Sequence, residues 1–410
     1  MTRKLNVLLA RRTTTDEPPG KPEMIPDFIV NMSRESFSDD ELACLNRGLN
    51  FAITPKSPPV EEIIIDLQVV SKALKRNLDY EEAPVMRMRF EKEAMETLEP
   101  IAKKRGNTTF TKIIDDINKK KVQIVKADKG NKVVVLNTGD YEARMKQHID
   151  DGPYSTINNP INKAILDFRK TIKKLRTIDV AVSNKWRVPN PSVPKLYGLP
   201  KIHKTGPLKM RPIVSNIGAV TEKLSKWLVA TFRGLGDIGG RTVKNALQFV
   251  DQVKDVKIKK TESIISFDIV SLFPSIPVDL AITFLEEWLL QKKLGAEKTT
   301  DLVQLTSLCM RHNNFGFRDK FYTMDQGTAM VNAMSPFLAE IVLSRLENEL
   351  ATDRRFPRVW TRYVDDIFAV VPSRQASRIL QWLNASRFHT INSIQFIYFI
   401  QSIFSNIQSI

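Results

Sequence analysis

The chain has 410 residues, with 62 Lys and Arg against 46 Asp and Glu, a formal charge of +16, and hydrophobic and charged residues at 42% and 26%. That balance supplies apolar material for a core of two or three domains and excludes a wholly disordered, collagen-like or coiled-coil chain. The basic excess suits phosphate backbones or anionic membrane surfaces; two cysteines, Cys44 and Cys309, make no disulfide framework, and four histidines lack zinc-site spacing.

Residues 1–30 mix Thr, Pro and charge without period and read as a disordered lead. Met1 to Arg12 is too short in apolar residues for a secretory signal, so an intracellular protein of nucleus or cytoplasm, not a secreted one, is expected. A helix starts at Asp39 with an acidic first turn and stops by Thr54-Pro55. Ile64, Leu67, Val70 and Leu74 space an amphipathic helix over Glu61 to Asn77, and a charged helical stretch continues to about Arg105. Residues 31–120 are thus a helical N-terminal extension. Val122 to Val125 and Val133 to Leu136 are β-branched runs around Asp128-Lys129-Gly130-Asn131, a strand, tight turn and strand.

Ile165 to Leu175 is a basic amphipathic helix, VPNPSV at 188–193 a proline-rich linker, and Ala219 to Leu235 a helix closed by glycines. Ser263 to Ile269 reads as a buried strand, Leu280 to Leu290 and Phe337 to Leu350 as helices. Trp360 to Val364 and Ile367 to Val371 flank Asp365-Asp366 as a hairpin does its two-residue connection. Phe388 to Ile410 carries no charge, but Asn, Gln and Ser interrupt it every few residues, which argues against a membrane span.

Asp268 at a strand end and Asp365-Asp366 at a hairpin tip would put carboxylates together if strand and hairpin share a sheet. Two such charges about 4 Å apart repel by roughly 1 to 4 kcal/mol, which calls for a cation. A hard divalent ion completed by substrate phosphates would serve, although an isolated Asp-Asp pair is also ordinary turn chemistry.

The wording around the acids is more specific. FDIVSLFPSIP at 267–277, QGTAMVNAMSP at 326–336 and RYVDDIFAVV at 362–371 resemble, in that order, motifs A, B and C of reverse transcriptases. KLYGLPKIHKTGPLKMRPIVS at 195–215, KADKGN at 126–131 and RGLNFAITP at 47–55 look like segments of the Penelope-like retroelements. The resemblance implies an α/β (α+β) right-hand polymerase fold: fingers at 121–260, palm at 261–388, no thumb, and an aberrant low-complexity tail at 389–410.

The implied chemistry is RNA-directed DNA synthesis by two-metal nucleotidyl transfer, with an RNA template, a DNA primer, deoxynucleoside triphosphates and two Mg²⁺, or Mn²⁺, as partners. Asp268, Asp365 and Asp366 match the catalytic carboxylates and, with the backbone of Ile269, the metal ligands. Phe273 matches the aromatic that excludes a 2′-hydroxyl, and Gln326 and Gly327 the start of motif B, whose later residues depart from the family's QGLAMGSPLSP. Lys201 and Arg211 match nucleotide-phosphate contacts. Lys195, Lys204 and Lys209 belong to a basic clamp for nucleic acid, while Lys103–Arg105, Lys119–Lys121 and Lys257–Lys260 are either backbone contacts or solvated helix surfaces. An ending before the thumb leaves a second expectation, a catalytically inactive truncated remnant that only binds RNA or DNA.

Overall fold

The computed structural model describes residues 28–50, 59–77, 81–102, 108–270, 272–325, 327, 332–385 and 395–400. Two compact units result, Met1–Met145 with Leu199–Arg211, and Lys146–Gly198 with Pro212–Ile410.

In the first unit a short strand β1 (Ile29–Asn31) precedes helices α1 (Asp39–Asn46), α2 (Val60–Asn77), α3 (Glu82–Ala102) and α4 (Thr108–Lys119). Ser38 and Glu41 start α1 with a reciprocal capping box. The helix ends well before the expected Thr54, because Gly48 takes φ +79° and its N–H donates back to the Leu45 carbonyl. Strands β2 (Val122–Lys126) and β3 (Val133–Asn137) pair antiparallel, and β1 adds to the other side of β3 in parallel. Central β3 is buried from Val133 to Leu136, as a continuous β-branched run requires. The turn between β2 and β3 places Gly130 and Asn131 at φ +85° and +52°, the left-handed region that Gly and Asn tolerate best.

Helix α5 (Thr138–Asp150) leads out of the first unit into β4 (Tyr154–Ile157), α6 (Ile161–Lys174) and α7 (Val180–Asn184) of the second. Then come β5 (Lys195–Pro200), β6 (Met210–Ser215), α8 (Glu222–Gly234) and α9 (Ala246–Val253). The order continues with β7 (Glu262–Val270), α10 (Leu272–Ser275), α11 (Val278–Gln291), α12 (Ala296–Arg311), β8 (Asn314–Phe317) and β9 (Lys320–Met324). It closes with α13 (Met334–Leu350), β10 (Val359–Tyr363), β11 (Asp366–Pro372), α14 (Ala376–Ala385) and β12 (Gln395–Ile400).

Two sheets organise these elements, one of order β4-β9-β8-β5-β6 and one of order β10-β11-β7-β12. Every pairing in the latter is antiparallel. Its two faces differ sharply. Ile265, Phe267 and Ile269 of β7 are buried in the core shared with Leu228 of α8, Leu285 of α11, Leu305 of α12 and Leu338 of α13. The alternate residues, Ser266 and Asp268, are half-exposed on the opposite face, as the two-residue period of a strand dictates.

Several elements escaped the reading of local pattern, among them α5, β4, α9, α12, α14 and the β8–β9 hairpin. Helix α12 carries Leu302, Leu305 and Cys309 at helical spacing, and the β8–β9 hairpin is too short to show a period. Most instructive is β12, six residues of the stretch read as low-complexity tail, which runs antiparallel to β7 with Ile397 opposite Asp268. Phe, Ile and Tyr are strong strand formers. Among the described residues no helix is long and apolar enough to cross a membrane. The mixture of helices with three sheets in which antiparallel pairing predominates makes the class α+β.

Candidate active site

The register of the β10-β11-β7-β12 sheet decides where the acids fall. Asp366 is the cross-strand partner of Asp268, so both side chains leave the same, open face of the sheet. Tyr363 pairs with Asp366, which makes Val364 and Asp365 the two-residue connection of the β10–β11 hairpin. The Ile269 N–H donates to the Asp365 carbonyl at 3.2 Å, tying the turn back to the strand of Asp268.

That turn is held under strain. Val364 sits at φ +57°, a left-handed conformation that the primed hairpin turns need and that a β-branched residue adopts at a cost. Beneath it Arg362, 1% exposed, donates from Nη1 to the Val364 carbonyl at 3.2 Å. The same guanidinium is clamped by two carboxylates of α13: Nη1 and Nη2 reach Glu340 at 2.8 and 2.9 Å, and Nε reaches Glu347 at 2.8 Å. Trp360 Nε1 also donates to Glu347, at 2.9 Å. Burial alone would lower the Arg362 pKa, but the hydrogen bonds and charges of Glu340 and Glu347 reverse this and raise it, so the group stays charged. On its backbone, Arg362 N–H donates to Arg241 and its carbonyl accepts from Val243, which covers the outer edge of β10.

Directly after β7, Phe273 lies on the short helix α10, half-buried against the core. Gly327 takes φ +79° and packs on the backbone of the next residue, with a Cβ there falling 2.6 Å from Pro274 Cα. A glycine is therefore required by the close approach of two chain segments. Gln326 lies outside the described residues.

Lys201 and Arg211 belong to the first unit, where the loop of KADKGN meets the end of the β5–β6 hairpin. Asp128 N–H donates to the Pro200 carbonyl at 3.0 Å, and Asp128 Oδ1 holds Arg211 Nε at 2.7 Å. The other carboxylate oxygen of Asp128 is buried without a hydrogen-bond partner. Burial, and next the charge of Arg211, push the Lys201 pKa down. Lys195, Lys204 and Lys209 are exposed. Of the other basic runs, Lys120 is a structural cation, paired with Glu41 at 2.7 Å and lying over the Phe37 ring. Lys257, Lys259 and Lys260 are solvated, and Lys103–Arg105 lie outside the described residues.

No protein-family model matches the chain, and no curated protein matches it. Solved structures do resemble it in backbone. Telomerase from Candida albicans in complex with a fragment of telomeric RNA superposes with TM-score 0.48 at 9% identity, over 80% of this chain and 56% of that one. Apo telomerase from Candida Tropicalis truncated from its C-terminal domain gives 0.47 at 8%, over 87% and 81%. The Sicinivirus 3Dpol RNA-dependent RNA polymerase gives 0.37 at 15%, over 58% and 49%. The chain thus spans little more than half the Candida albicans telomerase, at identities far below those at which chemistry transfers.

Among the described residues, no group of three or more His, Cys, Asp and Glu side chains is gathered so as to hold a metal ion unaided. What the register does bring together is a pair of carboxylates, Asp268 and Asp366, with Asp365 next to Asp366 in sequence.

Reading the sequence missed Arg362 with its partners Glu340 and Glu347, and Asp128 as the partner of Arg211. A signal existed for the first: Arg362 shares with Trp360 the inward-facing parity of β10, and a charge at such a position needs buried counter-charges. Asp128 was legible as a turn residue only, because its partner lies far along the chain.

Proposed function

We propose that the chain is an RNA-directed DNA polymerase of the Penelope-like retroelement type, with Asp268, Asp365 and Asp366 as its catalytic carboxylates. The observation that carries the reading is the cross-strand pairing of Asp268 with Asp366 beside a strained, braced turn that presents Asp365. Two Mg²⁺, or Mn²⁺, would be held by these carboxylates and the backbone of Ile269, and when bound would activate the primer hydroxyl and stabilise the leaving pyrophosphate.

The remaining residues take binding roles. Arg211, steadied by Asp128 through Nε, keeps its terminal nitrogens for triphosphate oxygens, and Lys201 adds a second cation. Phe273 supplies the steric wall against a 2′-hydroxyl. Gln326 contacts the incoming nucleotide, and Gly327 keeps that segment close upon Pro274. Lys195, Lys204 and Lys209 attract the nucleic-acid backbone.

The test is addition of a single deoxynucleotide to a DNA primer annealed to an RNA template, by the full chain, with Mg²⁺ or Mn²⁺. Template-directed addition that a chelator stops is expected. Incorporation no greater than in a protein-free control would overturn the reading.

A further inference from the structure

Helices α6 and α12 wall a groove of about 1010 Å³ in the second unit, built from elements that carry none of the carboxylates described above. On α6, Lys163, Lys170 and Lys174 line it, at offsets of seven and eleven residues that repeat on one helical face. At 1.5 Å per residue this stripe runs for about 16 Å. The opposite side of the same helix, including Phe168, is spent on the core. On α12, Gln304, Ser307 and Arg311 form the facing stripe.

The charge in the groove is one-sided. Among the described residues none of the three lysines has an ion-pair partner. Arg311 is engaged, with Asp279 at 2.7 Å and with Ser307 at 3.0 Å. The acid in the lining, Asp167, faces the ring of His312 at 3.5 Å. Three unmatched ammonium groups in line describe a linear polyanion better than a compact one. No Phe, Tyr or Trp lines the groove, and its one aromatic ring, His312, is largely buried against Asp167, so contact runs mainly through phosphates without regard to sequence.

We propose that the groove between α6 and α12 binds a single strand of nucleic acid through its phosphates, as a site separate from the carboxylates. The inference goes beyond the polymerase reading, and its test measures binding, not nucleotide addition. Fluorescence anisotropy of a labelled oligouridine RNA is titrated with the full chain across a salt series. The variant Lys163→Gln/Lys170→Gln/Lys174→Gln should lose about tenfold in affinity, and its salt slope should fall by about 2, three contacts at roughly 0.7 each. The same three positions changed to Arg should bind as the parent does. A charge-matched control, Lys293→Gln/Lys298→Gln/Lys320→Gln, alters exposed lysines outside the groove and should leave the slope in place.

Equal losses in both triple variants, or none in the groove variant, would overturn the proposal. So would competition by polyglutamate as effective as by unlabelled RNA, which would assign the groove to an acidic peptide. Photo-crosslinking of a thiouridine-bearing RNA to the unmodified chain gives a measure that needs no variant. Crosslinked peptides from α6 are expected, and crosslinks confined to other elements would contradict the site.

Discussion

Arg362 shows how one side chain links the core to the candidate chemistry. Its guanidinium is buried between Glu340 and Glu347 and holds the carbonyl of Val364, the residue before Asp365. Replacing it strands two acids, one of them almost fully buried, and removing one partner of such a group costs about 3–5 kcal/mol. Arg362→Met is expected to lower unfolding free energy by that order in urea titration; a loss under about 1 kcal/mol would show that the network holds nothing in place. Phe273 carries a different prediction. Its ring is half-buried on α10, five residues past Asp268. In a single-addition assay Phe273→Ala is expected to raise ribonucleotide relative to deoxyribonucleotide incorporation, a ratio insensitive to the stability lost with the ring. An unchanged ratio would remove Phe273 from nucleotide selection.

The elements that bear the acids were legible because their signals are local. β7 alternates, and β10 and β11 are β-branched runs about a two-residue connection, but that connection is Val364-Asp365 and not the expected Asp365-Asp366, because Asp366 pairs with Tyr363 and so opens β11. β12 was not legible, since its Gln and its Ser-rich surroundings hide a strand whose partner, β7, lies more than a hundred residues earlier. Nor was the strain in the β10–β11 turn, because nothing in the tripeptide Tyr-Val-Asp announces a positive φ. Left-handed backbone at a non-glycine residue costs roughly 1–2 kcal/mol, partly offset by the entropy a glycine loses on folding. Val364→Gly should therefore stabilise the fold by about 1 kcal/mol while slowing nucleotide addition, because a relaxed turn presents Asp365 less rigidly. Urea titration beside the addition assay reads both quantities. A variant that is less stable than the parent, or equally active, would contradict the reading of the turn.

For the whole molecule, the sequence conveyed the α+β class and the order of the acidic segments, while long-range pairings such as Asp128 with Arg211 had to come from the structure. A +16 charge would favour nucleic acid without supplying chemistry, since electrostatic binding is indifferent to where a primer end lies. What distinguishes a polymerase from a basic binding protein is the work of the carboxylates. The direct measurement is RNA-templated single-nucleotide addition by the full chain beside its Asp365→Asn variant, at matched RNA occupancy and with Mn²⁺ present. The proposed site requires the variant to bind RNA as the parent does and to add nucleotide at least about a hundredfold more slowly, because a carboxylate that neutralises a catalytic ion is worth several kcal/mol in the transition state. Addition by Asp365→Asn within about twofold of the parent rate, well under 1 kcal/mol of barrier, would contradict the assignment.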